Sequence, residues 1–311
     1  MHAEVVVVPV NLCVKLGDAT PLKEAAFTTV GAIALQGVRQ ADLKLGESCA
    51  VIGLGLVGQI TLQLLQASGV KVFGIDIDSK QVALAAENGA DFSFHRDEPQ
   101  LESVLMQHTG GFGADAVIIT AATSSTDPVD LAGILCRRKA KVIIVGAVPT
   151  GFSRKNYYIK ELELKMSCSY GPGRYDADYE ERGIDYPYEY VRWTENRNME
   201  AFVSLLENKK IDLSKLITHA FPFQEAPKAY DLILNKAEAF SGIVLEYDTK
   251  KKILDRVNLK DKPTATDSIS VGMIGAGSFG QNFLLPACFA RKSNINGHCD
   301  RPRQQCKKCC G

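Results

Sequence analysis

The chain has 311 residues, 46% apolar and 23% charged, with 36 lysines and arginines against 36 aspartates and glutamates. That composition excludes a disordered or fibrous polymer and predicts a globular chain of about two domains, while the zero net charge leaves no bulk field to draw nucleic acid or an anionic membrane. No apolar run approaches the roughly 20 residues of a membrane helix, and the N-terminus lacks the charged, apolar and small-residue regions of a signal peptide, so a cytoplasmic location is expected.

From Glu47 to about Gly146 a short β-branched run, a turn and an amphipathic stretch repeat, which is the period of a parallel sheet with crossover helices. Strands are predicted at 49–53, 70–75, 91–94, 115–120 and 141–146, and helices at 57–68, 79–88, 98–108 and 127–136. Runs such as "DAVIIT" and "KVIIVG" are apolar almost without interruption. Strands of that kind are buried on both faces, so the expected fold is α/β with a doubly wound parallel sheet.

Residues 170–193 hold six tyrosines, two prolines and the chain's single tryptophan. A segment this aromatic is read as part of a binding site rather than as a connector. A helix at 196–208, a strand at 218–222, a helix at 224–235 and an edge-like strand at 242–247 follow, then a charged linker at 249–267. A second glycine-rich stretch, "SISVGMIGAGSFGQ", begins at residue 268.

The first glycine stretch, "CAVIGLGLVGQ", sits between a strand and a helix, with Asp76 at the end of the next strand, 23 residues after Gly53. That context makes it a dinucleotide-binding fingerprint. Gly53 is expected to make the tight turn, Gly55 to let backbone approach a pyrophosphate and Gly58 to let helix and strand pack closely, with Leu56 and Val57 in the helix's first turn offering free N–H groups. Asp76 is expected to accept hydrogen bonds from the adenosine ribose. Its charge would repel a 2′-phosphate, which favours NAD over NADP; Asp78 adds to that charge and Lys80 opposes it. The competing reading is a tight strand-to-helix turn beside an unrelated aspartate.

Several stretches, "HAEVVVVPVNLCVKLGD", "EAAFTTVGAIALQGV", "VIGLGLVGQ", "VFGIDID", "KVIIVGAV" and "LITHAFPFQEAPKAYDLI", together resemble the medium-chain dehydrogenase/reductase family of zinc-type alcohol dehydrogenases over residues 1–248. The resemblance implies a Rossmann domain set in a GroES-like catalytic domain and hydride transfer between a nicotinamide and an alcohol or carbonyl. It places Val145, Gly146 and Ala147 near the nicotinamide, Ala121 at the adjoining strand end and Tyr170 by the cofactor amide. The family's third zinc ligand aligns with Thr28 or Thr29, and neutral hydroxyls bind zinc weakly; no zinc is expected. Met1 falls where the family's catalytic domain is nearly finished.

"VGMIGAGSFGQNFLLPA" is similar to the opening of the glucose-fructose oxidoreductase and inositol dehydrogenase (Gfo/Idh/MocA-like) family, with Gly275, Gly277 and Gly280 in the turn and Asp300 at the ribose position. The whole then resembles a fragment of a bacterial bi-domain oxidoreductase. Its expected divisions are a GroES-like β remnant at 1–30, an NAD-binding Rossmann domain at 31–170, an aromatic substrate loop and return segment at 171–248, a linker at 249–267 and the first βα unit of a second Rossmann domain at 268–311, with an aberrant tail at 301–311 that reads as out of frame.

Among the remaining residues, Arg174 and Tyr170 are weak substrate-binding candidates. Arg174 and Arg192 have the planar fork that grips a carboxylate or phosphate, against the alternative of local ion pairs with Asp176, Glu180 or Glu195. Thr194 reads as a helix cap, and the five histidines as surface or packed residues. Cys13, Cys49, Cys136 and Cys168 read as reduced and mostly buried; Cys288, Cys299, Cys306, Cys309 and Cys310 crowd the end, and a metal site there is disfavoured for want of an apolar shell. The expected function is oxidation or reduction of a sugar or nucleotide-sugar alcohol with NAD, by a chain that on its own turns over poorly or not at all. A zinc-independent quinone or enone reductase and a non-catalytic dinucleotide-binding module remain alternatives. The expected partners are a small-molecule substrate and a second copy docked through the parallel sheet.

Overall fold

The computed structural model describes residues 2–3, 5–235, 238–248, 250, 270–274, 277–286 and 294–298. It divides into two compact units, Met1–Thr249 and Lys250–Gly311.

In the first unit a 3-10 turn at Val10–Leu12 and a short helix α1 (Leu22–Ala25) lead into α2 (Thr28–Ala41). The described residues before α2 hold no strand, which differs from the β remnant expected at 1–30: Val5, Val6, Val7 and Val8 are exposed and pair with no neighbour. Then come β1 (Ser48–Ile52), α3 (Leu56–Ala67), β2 (Lys71–Asp76), α4 (Ser79–Glu87), β3 (Phe92–His95), α5 (Leu101–His108), β4 (Ala114–Ile119), α6 (Asp127–Leu135), β5 (Cys136–Ile144), α7 (Arg154–Lys160) and β6 (Glu163–Met166). These six strands form one sheet in the order β3-β2-β1-β4-β5-β6, with every neighbouring pair parallel.

Side chains alternate across that sheet, and both sets are buried. Ala50, Ile52, Val117, Ile119, Val142 and Ile144 enter one core with α5 and α6, whereas Cys49, Val51, Ala116, Ile118 and Ile143 enter another with Leu62 and Leu65 of α3. At roughly 1.5–3 kcal/mol for each large aliphatic side chain fully buried, two such cores leave no face of the sheet for water. The doubly wound α/β fold read from the sequence is the observed one. The chain passes from one side of the sheet to the other between β1 and β4, so the strand ends of β1 and β4 flank a crevice of the kind in which open α/β sheets bind ligands.

Neither α2 nor the α7–β6 pair was expected. The α7–β6 pair extends the sheet by one edge strand, and β5 starts at Cys136 rather than 141 because its pairing with β4 slips between Ala114 and Ala116. Beyond β6 lie α8 (Ala177–Glu180), α9 (Glu195–Glu207), β7 (Ile217–Pro222), α10 (Ala226–Asn235) and β8 (Gly242–Glu246), with β7 and β8 paired in parallel. A third core, with Phe27, Leu35, Ile60, Leu64, Phe202, Leu206, Leu213 and Val244, docks this return segment on α2 and α3.

The second unit contains β9 (Ser270–Ile274), a π-helical segment at Gly280–Leu284 and β10 (Asn294–His298), with β9 and β10 parallel from Ser270–Asn294 to Ile274–His298. Gly275, Asp300, Cys288, Cys299, Cys306, Cys309, Cys310, the tail at 301–311 and all but Lys250 of the expected linker lie outside the described residues. Of the other cysteines, Cys49 and Cys136 are buried and Cys13 and Cys168 are exposed, so the expectation that most are buried holds for half of them. Among the described residues no helix is long and apolar enough to cross a membrane.

Candidate functional site

The turn between β1 and α3 is fixed by backbone contacts. Gly53 sits at φ +96, and a Cβ there would lie 2.5 Å from the backbone nitrogen of Ala121. A Cβ on Gly58 would lie 1.9 Å from the carbonyl oxygen of Gly53, so the helix can begin this close to the strand only with hydrogen at that position. Thr120 locks the turn further by donating its hydroxyl to the Gly53 carbonyl. Gly55 differs: its Cβ position has no atom within 4 Å. Open space at Gly55 faces the first turn of α3, whose N-cap, Gly55, supplies no side chain to the helix N–H groups. The donors there, including those of Leu56 and Val57, form a cradle suited to an anionic group.

Asp76 closes the other side. Its carboxylate accepts the Leu54 N–H and, at 2.8 Å, the Asp78 N–H. The acid at the end of β2 thereby holds the glycine turn in place, and each oxygen keeps a lone pair for a further donor. Asp78 caps α4 by accepting from Lys80 N at 2.9 Å. Arg96 is bound bidentately by Asp127, at 2.8 Å through Nε and 2.6 Å through Nη2.

Three strand ends meet beside the turn. The backbone N–H groups of Val145 and Gly146 both donate to Ile119 O at 2.9 Å, and a Cβ on Gly146 would lie 2.1 Å from Ala121 O. Ala147 is tied in through its carbonyl, which accepts from Thr123 N at 2.9 Å. Gly53, Gly58, Asp76, Ala121, Val145, Gly146 and Ala147 thus border one crevice at the carboxyl ends of β1, β2, β4 and β5. The residues present fit a dinucleotide there: an open backbone cradle for the pyrophosphate and a carboxylate placed at the next strand end.

Tyr170 and Arg174 are held by partners outside the glycine turn. The Tyr170 carbonyl accepts from Asn198 Nδ2 at 2.8 Å, and the same amide group donates to Gln36 Oε1 at 3.2 Å. Arg174 forms an ion pair with Glu180, one of the local partners foreseen for it, and stacks on Tyr175. Its guanidinium is therefore neutralised, which lowers its value for gripping a substrate anion. Thr194 caps α9, accepting from Arg197 N.

Thr120 at the glycine turn, and Gln36, Arg39 and Asn198 around Tyr170, were not foreseen; Glu195 was foreseen only as an ion-pair partner for the arginines of the aromatic segment. Glu195 is 0% exposed, and neither carboxylate oxygen has a hydrogen-bond partner. Burial, then the negative Glu180, lifts its carboxyl from 4.5 to about 7, opposed in part by Arg174 and by the nearby Tyr170 phenol. The phenol lies close enough to feel the charge, and burial followed by Glu195 raises it to about 12, yet it does not reach hydrogen-bond geometry.

The residues at the aligned zinc-ligand position do not fit a metal. Thr28 is buried and donates its hydroxyl to Ala25 O at 2.6 Å, Thr29 is exposed, and among the described residues no group of three histidine, cysteine or acidic side chains is arranged to hold an ion. His219 faces Thr218 and Glu238 on the return segment.

Residues 57–183 match the zinc-binding dehydrogenase family. The chain is 26% identical over 221 residues to D-guloside 3-dehydrogenase of Shigella flexneri, covering 70% of this chain and 59% of that protein. It is also 26% identical over 239 residues to the D-xylulose reductase A of Aspergillus niger, covering 74% and 59%. The alcohol dehydrogenase TADH from Thermus sp. ATN1 superposes with a TM-score of 0.60 at 21% identity, over 76% of this chain and 61% of that one. The chain thus spans about three fifths of the length of the curated relatives it matches, and the superposition shows a shared α/β fold with a parallel central sheet.

Proposed function

We propose that this chain, which the comparisons support as zinc-type alcohol dehydrogenase-like, binds NAD between β1 and α3. The enzyme to which it belongs would transfer hydride between that cofactor and the alcohol or carbonyl of a sugar or nucleotide-sugar derivative. The observation that carries the reading is the Gly53–Gly58 turn, open at Gly55, with the Asp76 carboxylate fastened to its Leu54 N–H. The names of the two curated relatives, a guloside dehydrogenase and a xylulose reductase, favour a sugar substrate.

The chemistry supplied at such a site is hydride transfer from or to the nicotinamide ring. Around it, the first-turn N–H groups of α3, with Leu56 and Val57, hold the pyrophosphate against the positive end of the helix. Asp76 accepts the ribose hydroxyls. The strand ends at Ala121 and at Val145, Gly146 and Ala147 would form the wall against which the nicotinamide is held. NAD is preferred over NADP because a 2′-phosphate would meet the Asp76 charge; of the two cations nearby, Arg96 is committed to Asp127 and Lys80, in the first turn of α4, alone opposes the preference. The reading takes no zinc at Thr28 or Thr29, since the Thr28 hydroxyl is engaged with the backbone.

Two further parts of the reading concern assembly. β6 is an edge strand with Leu164 and Met166 exposed, which supports a homodimer joined through the parallel sheet. The parallel β9–β10 pair around a helical segment has the strand–helix–strand form of a second dinucleotide unit; that this unit is Gfo/Idh/MocA-like rests on the glycine pattern of the sequence alone. Calorimetric titration of the chain with NADH and NADPH tests the cofactor reading; saturable binding of NADH at least tenfold tighter than NADPH is expected, and equal affinity contradicts the role given to Asp76. A screen of sugar alcohols, aldehydes and quinones tests the substrate class, and turnover confined to quinones would overturn it.

A further inference from the structure

The chain's single tryptophan, Trp193, carries a guanidinium on each face. Arg39 Cζ lies 3.2 Å and Arg192 Cζ 3.7 Å from the ring centre. Two planar groups at those distances cannot share one face, because stacked carbons need roughly 3.5 Å between them; the indole lies between the two cations, with the guanidinium carbons roughly 7 Å apart. Cation–π attraction offsets part of their repulsion. Neither arginine holds an acid among the described residues; Arg138 and Arg154 also hold none, but they stand singly, on a backbone carbonyl and on Tyr158. Arg96, Arg137, Arg174, Arg182 and Arg197 each hold a carboxylate, whereas Arg39 donates through Nε to the neutral amide of Asn198 at 2.7 Å and the exposed Arg192 touches only the aromatic faces of Tyr188 and Trp193 among the described residues. Burial, and then the charge of Arg192, pulls Arg39 down to about 10, the direction expected of a cation that lacks its counter-ion.

We propose that Arg39 and Arg192 form an oxyanion site at the rim of the Trp193 indole, taking the phosphate or carboxylate group of a small-molecule ligand. A single oxyanion at that rim spans the gap with an N–H bond from each planar fork, the geometry in which arginine outperforms lysine. The site is connected to the start of the aromatic segment, because the Asn198 side chain that receives Arg39 also donates to the Tyr170 carbonyl. The proposal does not depend on the cofactor reading.

The test titrates the full chain, without cofactor, with inorganic phosphate and separately with galacturonate, reading Trp193 emission and heat of binding, with chloride at matched ionic strength as the control. A saturable change with either anion that chloride does not reproduce is expected. Affinity should fall at least tenfold in Arg192→Ala, whose exposed position spares the fold, while Arg182→Ala binds as the wild type does. A response to phosphate alone assigns a phosphorylated ligand, and a response to galacturonate assigns a carboxylate. No saturable change with either anion, or undiminished affinity in Arg192→Ala, overturns the proposal.

Discussion

Replacing Glu195 with glutamine removes a carboxylate that the fold buries completely and gives no hydrogen bond. Burial, reinforced by Glu180, lifts this group from 4.5 to about 7, so the folded chain prefers it neutral. A raised carboxyl contributes stability that is fully present below the unfolded value near 4.5 and is lost as pH rises through about 7. At 1.4 kcal/mol for each tenfold change in protonation equilibrium, the loss between pH 4.5 and pH 8 is about 3 kcal/mol. Glutamine cannot ionise. It adds a constant offset from its own buried amide, but that offset is the same at both pH values. Urea denaturation of wild type and Glu195→Gln at pH 4.5, 5.5, 6.5 and 8 should therefore show the variant gaining about 3 kcal/mol relative to the wild type across the range, with the steepest change midway between the two values, at about pH 6. A stability difference that stays flat with pH would refute the reasoning and mean that the carboxylate is solvated or partnered in solution.

Other outcomes follow from the same contacts. Gly58→Ala drives a methyl into the Gly53 carbonyl and should cost at least about 2 kcal/mol in urea denaturation, with NADH binding lost in parallel. Asp76→Gly with Ile77→Arg removes the charge that faces a 2′-phosphate and adds a cation at an exposed position; the ratio of NADH to NADPH affinities should fall by at least tenfold, and an unchanged ratio would remove Asp76 from the cofactor site. Tyr157→Phe deletes the hydroxyl that donates to the buried Val129 carbonyl at 2.8 Å and should lower stability by about 1–2 kcal/mol without altering NADH affinity.

The Rossmann sheet was legible because both faces of its strands are buried, which writes β1, β4 and the Val142–Ile144 end of β5 as nearly unbroken apolar runs. Elements whose residues follow other rules were not. In α2, Gly31 and Gly37 look like helix breakers, yet each is small because a neighbour presses on it: a Cβ on Gly31 would lie 2.2 Å from the Phe202 ring, and one on Gly37 2.6 Å from Val145 Cγ2. The charged alternation of "ELKM" in β6 suits an exposed edge and carries no core signal. In the site, the glycine turn and Asp76 are local in sequence and could be read directly. The Arg39–Asn198 contact joins residues 159 apart, and no local pattern announces it. Sequence reasoning raised Arg174 and Arg192 together; only the folded positions of Glu180 and Trp193 separate a neutralised arginine from an unpaired one.

The dinucleotide reading rests on open space at Gly55. Its backbone is extended, at φ −65 and ψ −170, and a side chain there meets nothing in the protein, so Gly55→Asp should leave the fold intact while placing a bulky negative group where the pyrophosphate would lie. The decisive measurement is calorimetric titration of NADH into the wild-type chain and into Gly55→Asp, with the melting temperature of each recorded beforehand. Saturable binding by the wild type, and a loss of at least tenfold in a variant that melts at the same temperature, is the predicted result; no binding by the wild type, or equal binding by the two, would contradict the account.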